Sequence, residues 1–347
     1  MTGTPRALVL GGSVFVGRNL VRTLVASGRQ VSVLNRGRTP TELPPGVGHL
    51  AADRTDRASM QAALAGTEWD EIYDVSGFVM AAGGSDIDNL LDLVEGRVGR
   101  YVYVSSIMAY DQSLVGVFPW TEDLPTNRDG TGTYGGFKAV VEAAMLARHE
   151  ARHFPVTIVR PAAIYGPDNN IYDMETPMWL RLRQHRPVLV PHGGLVVGSY
   201  GHVDDLCEAM VALATSPVST GQVYNVTTDG VSVARYVEVL AAIVGVEPVV
   251  VPVPDAELTR IARPVFGHLF GVRHHALMAT EKLRRDVGVL PRWDLRSGHQ
   301  QTYEWFLARG WADLDGPLAD PVWRSSWDFE AEAAFAAGLG WSPGAGR

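Results

Sequence analysis

The sequence predicts an α/β fold, in which a doubly wound parallel β-sheet is joined to a smaller C-terminal α/β domain. From residue 1 to about residue 166, short apolar runs typical of buried strands alternate with segments of helical spacing. The first of these strands leads into a glycine-rich turn that opens a helix. With 347 residues, 46% of them hydrophobic, the chain can build a large core and two domains. We expect residues 1–166 and 201–228 to form the sheet domain, and residues 167–200 and 229–347 to form the second.

The first β-α-β unit carries the glycine turn. Residues 6–10 (RALVL) are typical of a buried strand, residues 11–17 (GGSVFVG) of a turn, and residues 18–28 of a helix. Residues 31–34 (VSVL) predict the second strand. Backbone N–H groups and the helix dipole at such a helix start favour a pyrophosphate. The unit therefore predicts a Rossmann-type dinucleotide-binding domain. The expected cofactor contacts in the turn are Gly11, Gly12, Ser13, Phe15, Val16 and Gly17.

The end of the second strand bears on the choice between dinucleotides. An Asp or Glu there would accept hydrogen bonds from the adenosine ribose and repel a 2′-phosphate. The chain instead places Asn35, Arg36 and Arg38 in this stretch, and two guanidiniums can clamp a phosphate. NADP is therefore favoured. The alternative is NAD, with Asn35 alone on the ribose and both arginines solvated.

Tyr134 and Lys138 form the clearest catalytic motif. Only two of the chain's 30 basic residues are lysines, and one of them lies four residues after a tyrosine. Positions i and i+4 share a helix face, where an ammonium can lower the pKa of a phenol toward working pH. The pattern predicts a tyrosine that exchanges protons, although a surface Tyr and Lys on an ordinary helix remains the alternative.

With these motifs, the chain resembles the NAD-dependent epimerase/dehydratase family of extended short-chain dehydrogenases/reductases over nearly its whole length. Residues 101–106 (YVYVSS) resemble the family's fifth strand, and residues 159–167 (VRPAAIYGP) resemble its sixth. The resemblance implies a catalytic set of Ser106, Tyr134 and Lys138, a nicotinamide dinucleotide, and a homodimer that pairs through the Tyr134 helix. It also implies further cofactor contacts at Asp53, Arg54, Val75, Ser76, Gly77, Pro161 and Ala163. Glu122 resembles part of the family's acidic turn and either relays protons or caps that turn.

Several departures from the family pattern concern the substrate. Where sugar-nucleotide members carry an Asn and an Arg, this chain has Ala162, Ala163 and a Gly-Ser-Tyr-Gly stretch at residues 198–201. Ile107 and Met108 replace the Asp-Glu pair with which the family's dehydratases expel water, so dehydration is disfavoured. The chain also resembles an atypical branch that includes chloroplast stem-loop RNA-binding proteins. Expected substrate contacts are Met80, Ser106, Tyr134 and Tyr172.

Composition limits the partners. The net charge of −8 argues against a general nucleic-acid binder. No apolar run approaches the roughly 18–20 residues of a membrane span, and no signal-peptide pattern opens the chain. The single Cys207 rules out an internal disulfide and is compatible with a reducing cytoplasm, where we expect the protein. His274 and His275 lack partners at metal-ligand spacing, so no metal is expected.

Three functions follow from these observations. The first is an epimerase acting on a sugar or a sugar-nucleotide-like substrate, which borrows a hydride and returns it. The second is an NADPH-dependent reductase, or the reverse dehydrogenase, of a small metabolite. The third is a non-catalytic scaffold that senses a cofactor or contacts RNA. In the second domain we further expect a helix at residues 231–244 and a short strand at 248–253. We also expect helices at residues 280–287 and 330–337, and a solvated helix face carrying Arg181, Arg183 and Arg186.

Overall fold

The computed structural model describes residues 3–38, 42–76, 85–170, 174–260, 274–310 and 327–342. The strands in these ranges are β1 (Arg6–Leu10), β2 (Gln30–Asn35), β3 (Gly48–Ala51), β4 (Trp69–Asp74), β5 (Val98–Val104), β6 (Val156–Pro161), β7 (Ala163–Tyr165), β8 (Pro187–Pro191), β9 (Val197–His202), β10 (Gln222–Val226), β11 (Asp229–Ser232) and β12 (Val249–Val253). The α-helices are α1 (Phe15–Ala26), α2 (Arg57–Leu64), α3 (Ser85–Val94), α4 (Tyr134–Arg152), α5 (Glu175–Arg183), α6 (Val203–Thr215), α7 (Val233–Val244), α8 (Glu281–Val287), α9 (Leu295–Ala308) and α10 (Phe329–Gly338).

The chain divides into two compact units. The first comprises Met1–Ile164, Val203–Thr227 and Met278–Pro291, and the second comprises Tyr165–His202, Thr228–Leu277 and Arg292–Arg347. The segment 278–291, which the sequence analysis assigned to the second domain, lies in the first unit. Its helix α8 packs on β10, where Lys282 Nζ donates to the Val223 carbonyl at 2.9 Å. The Tyr224 hydroxyl lies 2.9 Å from the carboxylate of Asp286.

A seven-stranded parallel sheet forms the centre of the first unit, in the order β3-β2-β1-β4-β5-β6-β10. Strand order reverses about β1, which pairs with β2 on one side and β4 on the other. The predicted Rossmann-type doubly wound sheet is thereby confirmed.

Both faces of this sheet are apolar. Successive residues of a strand point to opposite sides of the sheet, and the strands carry apolar residues at consecutive positions. Ala7 and Val9 of β1 belong to a core that includes Leu20 and Leu24 of α1 and residues of α6. Leu8 and Leu10 belong to the opposite core, with residues of α2, α3 and α4. Each face is therefore covered by its own layer of helices.

The second unit contains two small strand pairings. β9 pairs antiparallel with β11, with Tyr200 opposite Asp229, and β8 pairs in parallel with β12, with Pro187 opposite Val249. Leu189, Val251 and Val253 form an apolar cluster with Ala336 of α10. The helices and the strand predicted for the second domain are present as α7, α8, α10 and β12, within two residues of the expected bounds, although α8 lies in the first unit.

The expectation of a solvated arginine face on α5 was wrong for Arg181. Its side chain is buried and forms an ion pair with the buried carboxylate of Glu332 on α10, through Nε at 2.8 Å and also through Nη2. Arg183 is exposed and donates to the hydroxyl of Tyr303 at 2.9 Å. A buried guanidinium needs such a partner, and sequence spacing alone did not show that α10 supplies one.

Candidate active site

The glycine turn lies at the point where strand order reverses. Gly11 and Gly12 have φ values of +116° and +26°, which side chains rarely adopt. A Cβ on Gly12 would lie 2.6 Å from Val33 Cγ1, and one on Gly11 would lie 3.1 Å from the Ser76 backbone. A Cβ on Gly17 would meet the Gly12 nitrogen at 2.8 Å. The turn therefore has no room for side chains at these three positions, and its backbone lies at the start of α1.

These observations fit a dinucleotide. Val14 at the N-cap of α1 is apolar and makes no side-chain hydrogen bond to the first turn of the helix. Backbone amides and the helix dipole at this end suit the pyrophosphate, and the carboxyl ends of β1 and β4 form the crevice in which such ligands bind. The turn residues predicted from sequence would hold the group.

At the exit of β2, Asn35 is held by hydrogen bonds within the chain. Its Nδ2 donates to Ser13 Oγ at 2.8 Å, and its Oδ1 accepts from the Gly37 amide at 2.7 Å. Arg36 and Arg38 are exposed. The pKa of Asp53, which follows β3, is lowered first by hydrogen bonds from Thr55 and further by these two guanidiniums. Two cations and a carboxylate therefore share the region where an adenosine ribose would bind.

The remaining residues expected to contact the cofactor lie at neighbouring strand ends. Arg54 is engaged inside the chain, since its Nη1 donates to Asp74 Oδ1 and to Ser76 Oγ, each at 2.6 Å. Val75 is half-buried after β4, Pro161 is buried at the end of β6, and Ala163 is half-buried in β7. Gly77, Met80 and Tyr172 lie outside the described residues.

Ser106, Tyr134 and Lys138 come together at the start of α4. Thr133 caps this helix by accepting from the Gly136 amide at 3.1 Å, and Tyr134 is its first residue. Ser106 is near enough to Tyr134 to lower the pKa of its phenol, and the Ser106 Oγ accepts from the Met108 amide at 3.1 Å. One turn along, Lys138 lies buried with its Nζ 5.8 Å from the centroid of the Tyr134 ring.

A pair of glycines, which the sequence analysis did not single out, permits this approach. A Cβ on Gly135 would lie 2.1 Å from the Met108 carbonyl oxygen, and one on Gly136 would lie 2.2 Å from that of Gly130. The first turn of α4 therefore touches backbone that any side chain would displace. Two glycines inside a helix cost about 1 kcal/mol each relative to alanine, and this unfavourable pair is the signal that could have identified them.

The electrostatics of Tyr134 differ from the sequence expectation. Burial raises the pKa of the Tyr134 phenol, and the hydrogen bond with Ser106 offsets only part of that effect. Burial also lowers the pKa of Lys138 to about 8. The sequence predicted a lowered pKa for this phenol, and in this structure the pKa is raised instead, because the loss of hydration is the largest influence on it.

A buried carboxylate on α4, that of Glu142, was also missed by the sequence analysis. Glu142, one turn beyond Lys138 on α4, accepts from Ser105 Oγ and from Arg160 Nη2, the latter at 2.6 Å. Glu122, for which two roles were expected, accepts from the Asn225 amide at 2.9 Å, and burial raises its pKa. In this arrangement it anchors the backbone of β10.

Among the described residues, no helix is both long enough and apolar enough to cross a membrane. Nor do they contain a group of three or more His, Cys, Asp or Glu side chains arranged to hold a metal ion.

Known proteins resemble the chain in sequence and fold. It is 26% identical to the chloroplast stem-loop binding protein of 41 kDa b from Arabidopsis thaliana, over 88% of this chain and 80% of that protein. It is 28% identical to 2-alkyl-3-oxoalkanoate reductase from Stenotrophomonas maltophilia, over 64% of this chain and 70% of that enzyme. Among solved structures, UDP-glucose 4-epimerase from Thermotoga maritima superposes with a TM-score of 0.72 at 22% identity, covering 87% of this chain and 99% of that one.

The model of one family matches residues 7–227, which cover nearly all of the seven-stranded sheet, the glycine turn and the Ser106, Tyr134 and Lys138 cluster. The chain belongs to the NAD dependent epimerase/dehydratase family.

Proposed function

We propose that the chain is an NAD(P)-dependent enzyme that interconverts an alcohol and a ketone on its substrate, and that it uses this step for epimerisation. The observation that carries the proposal is the burial of Lys138 one helical turn from Tyr134, with its Nζ 5.8 Å from the centroid of that ring and with Ser106 beside the phenol. A phenol, a hydroxyl and an ammonium in this arrangement are the groups that proton transfer at a carbonyl oxygen requires.

In this mechanism Tyr134 exchanges a proton with the substrate oxygen. The Ser106 hydroxyl accepts from the Met108 amide, so its own proton is directed away from that amide and is available to the same substrate oxygen. Lys138 would hold the nicotinamide ribose when the cofactor is bound, and its charge would stabilise the phenolate form of Tyr134. The nicotinamide, when bound, supplies and accepts the hydride.

Dehydration is not part of the proposal. The two residues after Ser106 are Ile107 and Met108, which open a short 3₁₀ helix and carry no group that could move a proton. Expelling water from a substrate requires an acid and a base beside the reacting carbons.

Arg36 and Arg38 favour a second candidate, an NADPH-dependent reductase of a small carbonyl metabolite. Both guanidiniums are exposed at the exit of β2, where a 2′-phosphate would bind. The likeness to 2-alkyl-3-oxoalkanoate reductase supports this candidate as well. The nearby carboxylate of Asp53 opposes it, because it would repel that phosphate.

Counting the bound cofactor separates these candidates. The purified protein is denatured, and the released nicotinamide dinucleotide is identified and counted by mass spectrometry. About one oxidised cofactor per chain supports the epimerase, because a hydride that is borrowed and returned requires no exchange of cofactor. An empty protein that binds NADPH reversibly supports the reductase. Binding of neither dinucleotide would overturn both and leave the non-catalytic scaffold, with a small-molecule or RNA partner.

The role of Tyr134 is tested by Tyr134→Phe. We expect turnover on a panel of nucleotide sugars, small ketones and β-keto acids to fall by about a hundredfold or more, the usual contribution of general acid–base catalysis. The dinucleotide content should stay at the wild-type level. Tyr236→Phe is the matched control, since this buried hydroxyl has no hydrogen-bond partner among the described residues. Turnover that survived in Tyr134→Phe would contradict the assignment.

A further inference from the structure

The ammonium of Lys138 is in an unusual location for a positive charge, because the side chain is buried. Its side chain is 2% exposed, and the ammonium makes one hydrogen bond of 2.7 Å, to the Val104 carbonyl. It also lies 4.7 Å from the centroid of the Tyr103 ring. A carbonyl and a ring face are weak replacements for water, so a buried ammonium tends to lose its proton unless negative charge is close.

Asp74 provides negative charge on the adjacent strand. It ends β4, is fully buried, and stands directly opposite Tyr103 in the β4–β5 register, so it neighbours the residue whose ring faces the ammonium. The Tyr101 hydroxyl donates to Asp74 Oδ2 at 2.8 Å. That bond and the bond from Arg54 fix the carboxylate in place.

The surrounding charges leave Asp74 able to act on Lys138. Arg54, which neutralises Asp74, also lies 3.3 Å from the buried carboxylate of Asp86, so two carboxyl groups share one guanidinium. Glu142, the other carboxylate that attracts Lys138, is already paired with Arg160. Asp74 and Asp86 each carry a negative charge and Arg54 carries one positive charge. The excess negative charge of this cluster balances the ammonium of Lys138.

We propose that Asp74 is a positioning residue that acts through Lys138, keeping its buried ammonium charged and in place beside Tyr134. The proposal rests on the proposed role of Lys138 in the reaction. The direction of the pKa shifts agrees with it. Burial lowers the pKa of Lys138, Asp74 is the largest influence that raises it, and Arg54 lowers it. The pKa of Asp74 is in turn held low by Arg54 and, to a smaller extent, by Lys138, against the effect of burial.

The chain's lysine content allows a direct test. With only two lysines, protein labelled with ¹³Cε-lysine gives two NMR signals, and Lys282→Arg identifies the one from Lys138. Titration of that signal gives the pKa of Lys138 without any substrate. In Asp74→Asn we expect this pKa to fall by about one unit, as when a neighbouring opposite charge is removed. The alkaline limb of the pH profile of turnover should move in the same direction.

The controls distinguish this charge effect from general damage. Asp88→Asn changes the charge by the same amount on the exposed face of α3, and it should leave the Lys138 signal unchanged. Arg54→Gln removes a like charge and should raise the pKa of Lys138, a shift opposite in sign that also keeps the test available if Asp74→Asn does not fold. Equal Lys138 titration in wild type and Asp74→Asn, or a fall in Arg54→Gln, would overturn the inference while leaving the proposed function standing. If the shifts appear but the protein binds neither dinucleotide, the coupling holds and the proposed function fails.

Discussion

The buried carboxyl of Glu175 predicts an unusual dependence of stability on pH. Glu175 is the first residue of α5, is 2% exposed, and accepts from Asn169 Nδ2 at 2.6 Å. Burial raises its pKa from 4.5 to about 8, an effect that hydrogen bonds offset only in part. Between these two pKa values the folded state holds a proton that the unfolded state gives up. The contribution of this carboxyl group to the free energy of unfolding is complete below pH 4.5 and is lost as the pH rises to about 8.

Glu175→Gln removes that loss because the amide is neutral at every pH. One pH unit in this window is worth about 1.4 kcal/mol, so the unfolding free energy of Glu175→Gln relative to wild type should grow by about 3 kcal/mol between pH 6 and pH 9. The measurement is urea unfolding followed by tryptophan fluorescence at several pH values. Glu238→Gln, an exposed position on α7, is the control and should show a flat difference. A flat difference for Glu175→Gln as well would refute the reasoning.

Three further predictions concern Gly135, Gly12 and Cys207. Gly135→Ala should lower the unfolding temperature and reduce turnover, since overpacking costs about 1–3 kcal/mol or more. Gly132→Ala, whose Cβ meets nothing within 4 Å, should do neither. Equal unfolding temperatures for the two variants would argue against the close contact at Gly135. Gly12→Ala should abolish dinucleotide binding in calorimetry while the circular dichroism spectrum stays native, and wild-type affinity would contradict the assignment of the turn. Cys207 is fully buried and its pKa is raised, so it should react with a thiol reagent only after unfolding; fast reaction in the native protein would contradict its burial.

The features predictable from sequence are those in which local pattern and fold coincide. Residues 6–34 alternate strand, glycine turn and helix, and the structure has β1, α1 and β2 there because each apolar run is long enough to bury itself. The prediction that Tyr134 and Lys138 lie on one helix is likewise confirmed, since α4 carries both residues. Periodicity of 2 or 3.6 residues determines such elements before any tertiary contact forms.

What could not be predicted depends on partners that are distant in the chain. The burial of Arg181 depends on its ion pair with Glu332, 151 residues away. Helix α8 joins the first unit because its Lys282 donates to a β10 carbonyl and its Asp286 accepts from Tyr224 of β10. The pKa of Tyr134 could not be predicted for a similar reason. Spacing identifies a neighbouring ammonium, but only the packed structure shows how much water the phenol has lost.

The division of labour between arginine and lysine follows from the same packing. Four buried or nearly buried carboxylates in the described part of the chain are paired with guanidiniums, namely in Arg29–Glu71, Arg54–Asp74, Arg160–Glu142 and Arg181–Glu332, whereas the buried Glu175 accepts from Asn169 instead. Within that same part neither lysine forms a salt bridge, and each donates to a backbone carbonyl. A planar fork that stays charged suits a permanent bidentate pair, whereas an ammonium has a pKa that burial can move. In a chain that otherwise uses arginine, a lysine at position 138 therefore places a titratable cation beside Tyr134, where an arginine would leave a permanent charge.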